Sequence, residues 1–217
     1  MLAAPDLLLY LCTDRALALG RPITGAVEAA IAGGVTMVQL REKEASAGEF
    51  YRIAREVQAV TRRHHVPLVI NDRLDIALAV GAEGLHIGQS DLPLPAARRL
   101  AGKTMFIGLS ASTVEEALEA QAAGADYLGV GAVYPTGSKA DAGEAVGIGR
   151  LREICAAVRI PVAAIGGVNA GNAAEVMKTG AAGIAVISGI LSQPDIEEAA
   201  RNLRRILDTG AREQEGR

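Results

Sequence analysis

The sequence predicts a single (β/α)8 barrel on three observations. Eight short apolar runs alternate with helix-length segments of amphipathic spacing along 217 residues. The runs lack the polar alternation of a half-solvated sheet, as expected for parallel strands buried on both faces. No Gly-x-Gly-x-x-Gly follows the first run, which favours a closed barrel over the doubly wound open sheet that shares the alternation.

The predicted strands, in order, are Leu7–Cys12, Val35–Leu40, Pro67–Ile70, Gly84–Ile87, Met105–Leu109, Asp126–Gly131, Pro161–Ile165 and Gly183–Ile187. Between them, Glu49–His64 places Phe50, Ile53, Ala54, Val57 and Val60 on one helical face, with Arg52, Arg55, Glu56 and Arg63 toward water. Thr113 is a predicted N-cap, with Glu115 and Glu116 in the first turn, where the helix dipole favours anions. Ala32-Gly33, Gly81-Ala82, Gly124-Ala125 and Gly180-Ala181 punctuate the chain before the second, fourth, sixth and eighth strands, each Gly read as a left-handed C-cap. The barrel domain is expected over residues 1–208, with a polar tail at 209–217 that frays.

Composition narrows the function classes. Half the residues are hydrophobic and 22% are charged, a globular balance that excludes a disordered chain. Aromatics are 3% with no Trp, so the core is aliphatic. A net charge of −3 with so few aromatics suits neither phosphate neutralisation nor base stacking, so no nucleic-acid partner is expected. No apolar run reaches the ~18 residues of a membrane span, and the N-terminus has neither a basic leader nor a cleavage signature, so no membrane partner and a cytoplasmic location are expected. Cys12 and Cys155 make neither a disulfide framework nor a zinc site and read as reduced core thiols.

In such barrels the active site lies where the strands end. After the second strand, Gln39, Arg41 and Lys43 share one direction at a period of two. Two cations and an amide at the mouth point to a phosphorylated ligand; a surface charge patch is the plainer reading. Asn71-Asp72-Arg73 follows the third strand, and His86 and then Asp91 close the fourth. Asp72 and Asp91 beside those cations suit Mg²⁺ held between two carboxylates and a diphosphate. Helix N-capping by either Asp is the competing reading. His86 reads either as a hydrogen-bonded core residue or as a catalyst. Ser110 follows the fifth strand with no His–Asp partners in a triad pattern, which excludes a serine hydrolase.

The sixth strand leads into Tyr134-Pro135-Thr136-Gly137-Ser138-Lys139 and then a run of small residues to Gly147, read as a closing lid. Arg outnumbers Lys 18 to 4, and two of the four, Lys43 and Lys139, fall at strand ends, where a compact point charge is useful. The seventh and eighth strands end in Gly166-Gly167 and Ile187-Ser188, positions that in barrels build a phosphate site from backbone N–H groups.

Taken together, Gln39-Leu40-Arg41-Glu42-Lys43, Asn71-Asp72-Arg73, Gly84-Leu85-His86-Ile87-Gly88-Gln89-Ser90-Asp91, Tyr134 to Lys139 and Ile165-Gly166-Gly167 resemble the thiamine phosphate synthase family, in order and across most of the chain. The resemblance implies a TIM-barrel transferase of thiamine biosynthesis. Such an enzyme joins a hydroxymethyl-pyrimidine diphosphate to a thiazole phosphate, releasing pyrophosphate. It further implies that Gln39, Arg41, Lys43, Asn71, Ser110 and Lys139 hold the pyrimidine diphosphate, with Arg41, Lys43, Ser110 and Lys139 catalytic. Asp72 and Asp91 would hold Mg²⁺, and Thr136, Ser138, Gly167, Ile187 and Ser188 the thiazole phosphate. Ser138 departs from the family's usual Thr but keeps the hydroxyl. The similar thiazole tautomerases use a His where this chain has Ser112 and lack the Asp at position 72. A non-catalytic thiazole-phosphate binding barrel would need no metal pair.

Overall fold

A computed structural model of the chain describes residues 6–137 and 144–215, with side chains through Thr209. Its eight strands are β1 (Leu9–Cys12), β2 (Met37–Leu40), β3 (Leu68–Asn71), β4 (Gly84–Ile87), β5 (Phe106–Ala111), β6 (Tyr127–Val130), β7 (Val162–Ile165) and β8 (Gly183–Val186). All pair in parallel in sequence order, and β8 returns to β1 through Leu9 opposite Ile184, closing the barrel. Each predicted strand is found, β4 with its predicted bounds and the others with an end moved by one or two residues.

The helices are α1 (Ile23–Ala32), α2 (Ala47–Arg63), α3 (Leu74–Val80), α4 (Leu94–Ala101), α5 (Val114–Ala122), α6 (Gly147–Ala157), α7 (Ala173–Met177), α8 (Ser188–Leu191) and α9 (Ile196–Glu215). Helix α2 begins where the Ser46 hydroxyl accepts from the Glu49 N–H, and it buries the predicted face of Phe50, Ile53, Ala54, Val57 and Val60. Thr113 caps α5 as expected, its hydroxyl accepting from the Glu116 N–H at 3.1 Å. The Glu116 carboxylate accepts in return from the Ser112 N–H, completing a capping box one residue early.

One expectation is corrected. Gly33 is right-handed (φ −78°), and the left-handed residue is Gly34 (φ 103°). Position 33 needs glycine for space instead: a Cβ there would run into Ala200 and the Glu197 carbonyl of α9. Helix α9 carries the chain on to Glu215.

Strand interiors interlock large side chains with glycines on the neighbouring strand. Gly84 faces the Phe106 ring and Gly108 the Tyr127 ring, and a Cβ at either position would overlap that ring. Register sets these pairs side by side, Gly84 opposite Phe106 and Gly108 opposite Tyr127. Three of the chain's few aromatic rings, Tyr10, Phe106 and Tyr127, pack together in this way.

Candidate active site

One cavity of about 350 Å³ opens at the C-terminal ends of the strands. Strand and loop ends β2 to β5 bring Arg41, Lys43, Asn71, Asp72, Asp91 and Ser110 to its wall, and the loops after β6, β7 and β8 bring Thr136, Gly167, Ile187 and Ser188. Ten of the thirteen residues expected at the site therefore share one space. Ser138 and Lys139, with the rest of residues 138–143 of the segment read as a lid, lie outside the described residues.

Gln39 is the exception among the described residues. It is buried and does not border the cavity; its amide Nε2 donates to the Tyr10 hydroxyl at 2.7 Å. It points the same way as Arg41 but sits two residues deeper along β2, inside the barrel.

On the cationic side, Arg41 is fixed at both ends. Its backbone N–H donates to the Thr13 hydroxyl at 3.1 Å, and its Nη1 lies 3.1 Å from Asp14 Oδ2. Both partners follow β1, and neither had a distinguishing signal in the sequence. Lys43 Nζ lies 3.0 Å from Asp72 Oδ2. The next residue back, Glu42, is buried against Arg15.

The capping reading of the two carboxylates does not hold. Helix α3 has Arg73 as its N-cap and α4 has Pro93, each without a side-chain capping bond. The Asp72 carboxylate instead meets Lys43, and Asp72 itself is left-handed (φ 62°), a conformation Asp tolerates better than most residues. Asp91 Oδ2 accepts from the Gly88 N–H at 2.7 Å within its own loop. Burial pushes the Asp91 carboxyl up from its ordinary range, and the adjacent Asp72 carboxylate pushes in the same direction.

On the opposite side of the cavity, the loop after β7 brings two glycines to the wall. Gly166 (φ 92°) and Gly167 (φ 67°) adopt backbone conformations closed to most L residues. A Cβ on Gly167 would stand 2.7 Å from Tyr134 Cβ, so the loops after β6 and β7 touch there. The Asn172 amide holds the Gly167 carbonyl at 3.0 Å, fixing the turn from behind.

Below the cavity floor a buried polar chain crosses the barrel. The Tyr10 and Tyr127 hydroxyls are 3.0 Å apart, and Tyr127 Oη is 3.0 Å from His86 Nδ1. His86 Nε2 is 3.0 Å from Ser110 Oγ. His86 is a hydrogen-bonded interior residue that also borders the cavity. Tyr10 and Tyr127 were not singled out in the sequence, where each reads as one more apolar strand residue. Burial drives both phenols well above their ordinary range, so they stay protonated.

A closed parallel barrel whose rim joins cations, paired carboxylates and a glycine-built loop pocket defines a phosphate-handling barrel enzyme. Comparison with known proteins makes the class particular. The family model described as thiamine monophosphate synthase matches residues 9–190. The chain is 52% identical over 198 residues to the thiamine-phosphate synthase of Clostridium novyi, covering 91% of this chain and 97% of that protein. It is 53% identical over 202 residues to that of Ruminiclostridium cellulolyticum, covering 93% and 96%. Among solved structures, thiamine phosphate pyrophosphorylase from Pyrococcus furiosus superposes with a TM-score of 0.89 at 42% identity, covering 95% of this chain and 98% of that one. The chain belongs to the thiamine monophosphate synthase family, a family of transferases.

Proposed function

We propose that this chain condenses 4-amino-2-methyl-5-(diphosphooxymethyl)pyrimidine with a 4-methyl-5-(2-phosphoethyl)thiazole, giving thiamine phosphate and pyrophosphate. The observation that carries the reading is the two-sided cavity. Arg41, Lys43, Asp72 and Asp91 stand on one side, Gly167, Ile187 and Ser188 on the other, and both border the same space. One side suits a diphosphate with its counter-cation; the other suits a phosphate monoester held by backbone N–H groups.

The residues fit Mg²⁺. Asp72 lies close enough to Asp91 to disfavour its ionisation, and a hard divalent cation held by the two would remove that conflict. Among the described residues no group of three or more His, Cys, Asp or Glu gathers in one place. Mg²⁺ commonly takes only one or two carboxylates and completes its shell with water and substrate phosphate. When bound at Asp72 and Asp91 it would supply charge neutralisation to the departing diphosphate.

Arg41 and Lys43 add positive charge at the same place, and Asp14 holds the Arg41 guanidinium where the charge develops. Lys139, which the family resemblance places with them, would add a third cation. Departure of pyrophosphate breaks the C–O bond and leaves a pyrimidinyl-methyl cation, stabilised by the ring's amino group. The thiazole nitrogen, held at contact distance through its phosphate on the opposite side, supplies the electron pair for the new C–N bond. No protein nucleophile and no general base enter; Ser110 pairs with His86, but the other imidazole nitrogen meets the Tyr127 hydroxyl, where a triad would carry a carboxylate. Localisation in the cytoplasm suits a chain in which no described helix is long and apolar enough to cross a membrane.

The tautomerase reading is disfavoured by Ser112, which borders the cavity where that family places a His, and by the presence of Asp72. Incubating the purified chain with both substrates and Mg²⁺, then measuring pyrophosphate and thiamine phosphate together, tests the proposal. Equal amounts of both products are expected; failure to form either would overturn it.

A further inference from the structure

The polar chain beneath the cavity has a direction, and that direction reaches the cavity. Strands β1 and β6 are not neighbours in the barrel, since β1 pairs only with β2 and β8. The Tyr10–Tyr127 hydrogen bond therefore crosses the barrel interior. It joins Gln39 on β2 to Ser110 on β5 through four successive hydrogen bonds of 2.7, 3.0, 3.0 and 3.0 Å. The strands leave room for it. Gly108 admits the Tyr127 ring, and a Cβ on Gly129 would stand 2.9 Å from His86 Cε1. Tyr127 also packs on His86, with ring centroids 5.5 Å apart.

Proton counting fixes how the chain runs. The Gln39 amide nitrogen carries only hydrogens and can only donate. Tyr10 Oη accepts from it, and among the described residues the Tyr10 hydroxyl has one other partner, Tyr127. The single Tyr10 proton therefore goes to Tyr127 Oη. Tyr127 then has its own proton left for His86 Nδ1. A neutral imidazole accepting at Nδ1 carries its hydrogen on Nε2 and donates it to Ser110 Oγ. With its oxygen already accepting, Ser110 has its hydroxyl proton free to turn toward the cavity it borders.

We propose that Tyr10, Tyr127 and His86 are positioning residues. They form a one-way hydrogen-bond chain, started by the Gln39 amide, that holds His86 as the Nε2–H tautomer and presents Ser110 to the cavity as a hydrogen-bond donor. This deepens the function proposed above, in which Ser110 lies on the diphosphate side, and rests on it only for what the serine donates to. A donor there favours a phosphoryl oxygen; the reversed chain would turn the serine's lone pairs on the same oxygen. Gln39 thus serves the site from beneath it.

The test reads the tautomer directly and needs no substrate. The chain has three histidines, so long-range ¹H–¹⁵N spectra of the full-length protein are simple to assign, with His86→Asn identifying the signal. The unchanged protein should show His86 protonated at Nε2 and bare at Nδ1. Gln39→Glu replaces the only obligate donor with an acceptor, so the chain should reverse and the proton should move to Nδ1. Tyr127→Phe should leave a mixture of both tautomers. Calorimetric binding of inorganic pyrophosphate with Mg²⁺ should weaken about fivefold in Tyr127→Phe, the worth of one ordinary hydrogen bond. A proton on Nδ1 in the unchanged protein overturns the proposal, as does an unshifted tautomer in either variant. Unaltered pyrophosphate binding in a Tyr127→Phe protein whose tautomer has moved overturns the link to Ser110. Loss of the condensation activity with the expected tautomers in place would count against the proposed function instead.

Discussion

Lys43 Nζ stands 3.0 Å from Asp72 Oδ2, tying the cation after β2 to the carboxylate after β3. With the lysine side chain 46% exposed, the pair contributes little to stability, so its use is local charge balance at the cavity wall. Asp72→Asn keeps a residue that tolerates the left-handed backbone at this position and removes only the charge. Mg²⁺-dependent turnover should fall by about a hundredfold or more, since neutralising a diphosphate leaving group is worth several kcal/mol. The circular dichroism spectrum and Tm should stay close to those of the unchanged chain. Full turnover in a folded Asp72→Asn protein would remove the metal role.

Arg41 depends on Asp14, a residue after β1 that no spacing in the sequence marked. Asp14→Asn removes the charge from the guanidinium's 3.1 Å partner without touching the cavity wall directly. The KM for the pyrimidine diphosphate should rise about tenfold, the scale of a charge-assisted hydrogen bond used to orient a binding group. The KM for the thiazole phosphate should hold within twofold. Steady-state kinetics with each substrate varied in turn separates the two, and equal increases would show that Asp14 supports the whole rim.

On the opposite side, Ser188 begins α8 and borders the cavity. Ser188→Ala should raise the KM for the thiazole phosphate more than that for the pyrimidine diphosphate, by about fivefold for one lost hydrogen bond. The reverse order of effects would undo the assignment of the two sides.

The barrel was legible because its strands are near-continuous apolar runs and its helices keep one apolar face, so each element carried its own period. Loop ends were legible where charge is scarce and placed: Arg41, Lys43, Asp72 and Asp91 stand just past apolar runs and meet at one cavity. For Gln39 a period of two gives direction but not depth, and the residue lies below the rim with Tyr10. Tyr10 and Tyr127 were invisible because an apolar run of aliphatic residues gives no sign that two hydroxyls within it meet across the barrel. That pairing depends on closure and register, which exist only in three dimensions.

Gly108 shows how tightly that interior is filled. Its Cα faces the Tyr127 ring so closely that an added methyl would overlap it. Gly108→Ala should destabilise the chain by about 2 kcal/mol, in the usual range for an overpacked core. At about 2–4 °C per kcal/mol for a domain of this size, the Tm should drop by roughly 4–8 °C. Adding Tyr127→Phe should not rescue it, because the clash is with the ring and not the hydroxyl. A Gly108→Ala protein of unchanged Tm would mean that the ring moves aside freely.

The buried phenols also set an alkaline limit on stability. Burial raises both Tyr10 and Tyr127 far above the ordinary value of 10.0, so the folded chain keeps their protons after the unfolded chain has lost them. A folded state that binds more protons loses stability as pH rises. The contribution is fully present below pH 10 and drains away above it, by about 1 kcal/mol per pH unit for each phenol. Urea unfolding at pH 9, 10 and 11 should show this decline. Tyr127→Phe should make it shallower by about one proton's worth, whatever its effect at pH 8. Absorbance at 295 nm should show these two phenols ionising only as the fold is lost. If they ionise in the native chain near pH 10, water reaches the barrel interior and the chain from Gln39 to Ser110 is not sealed.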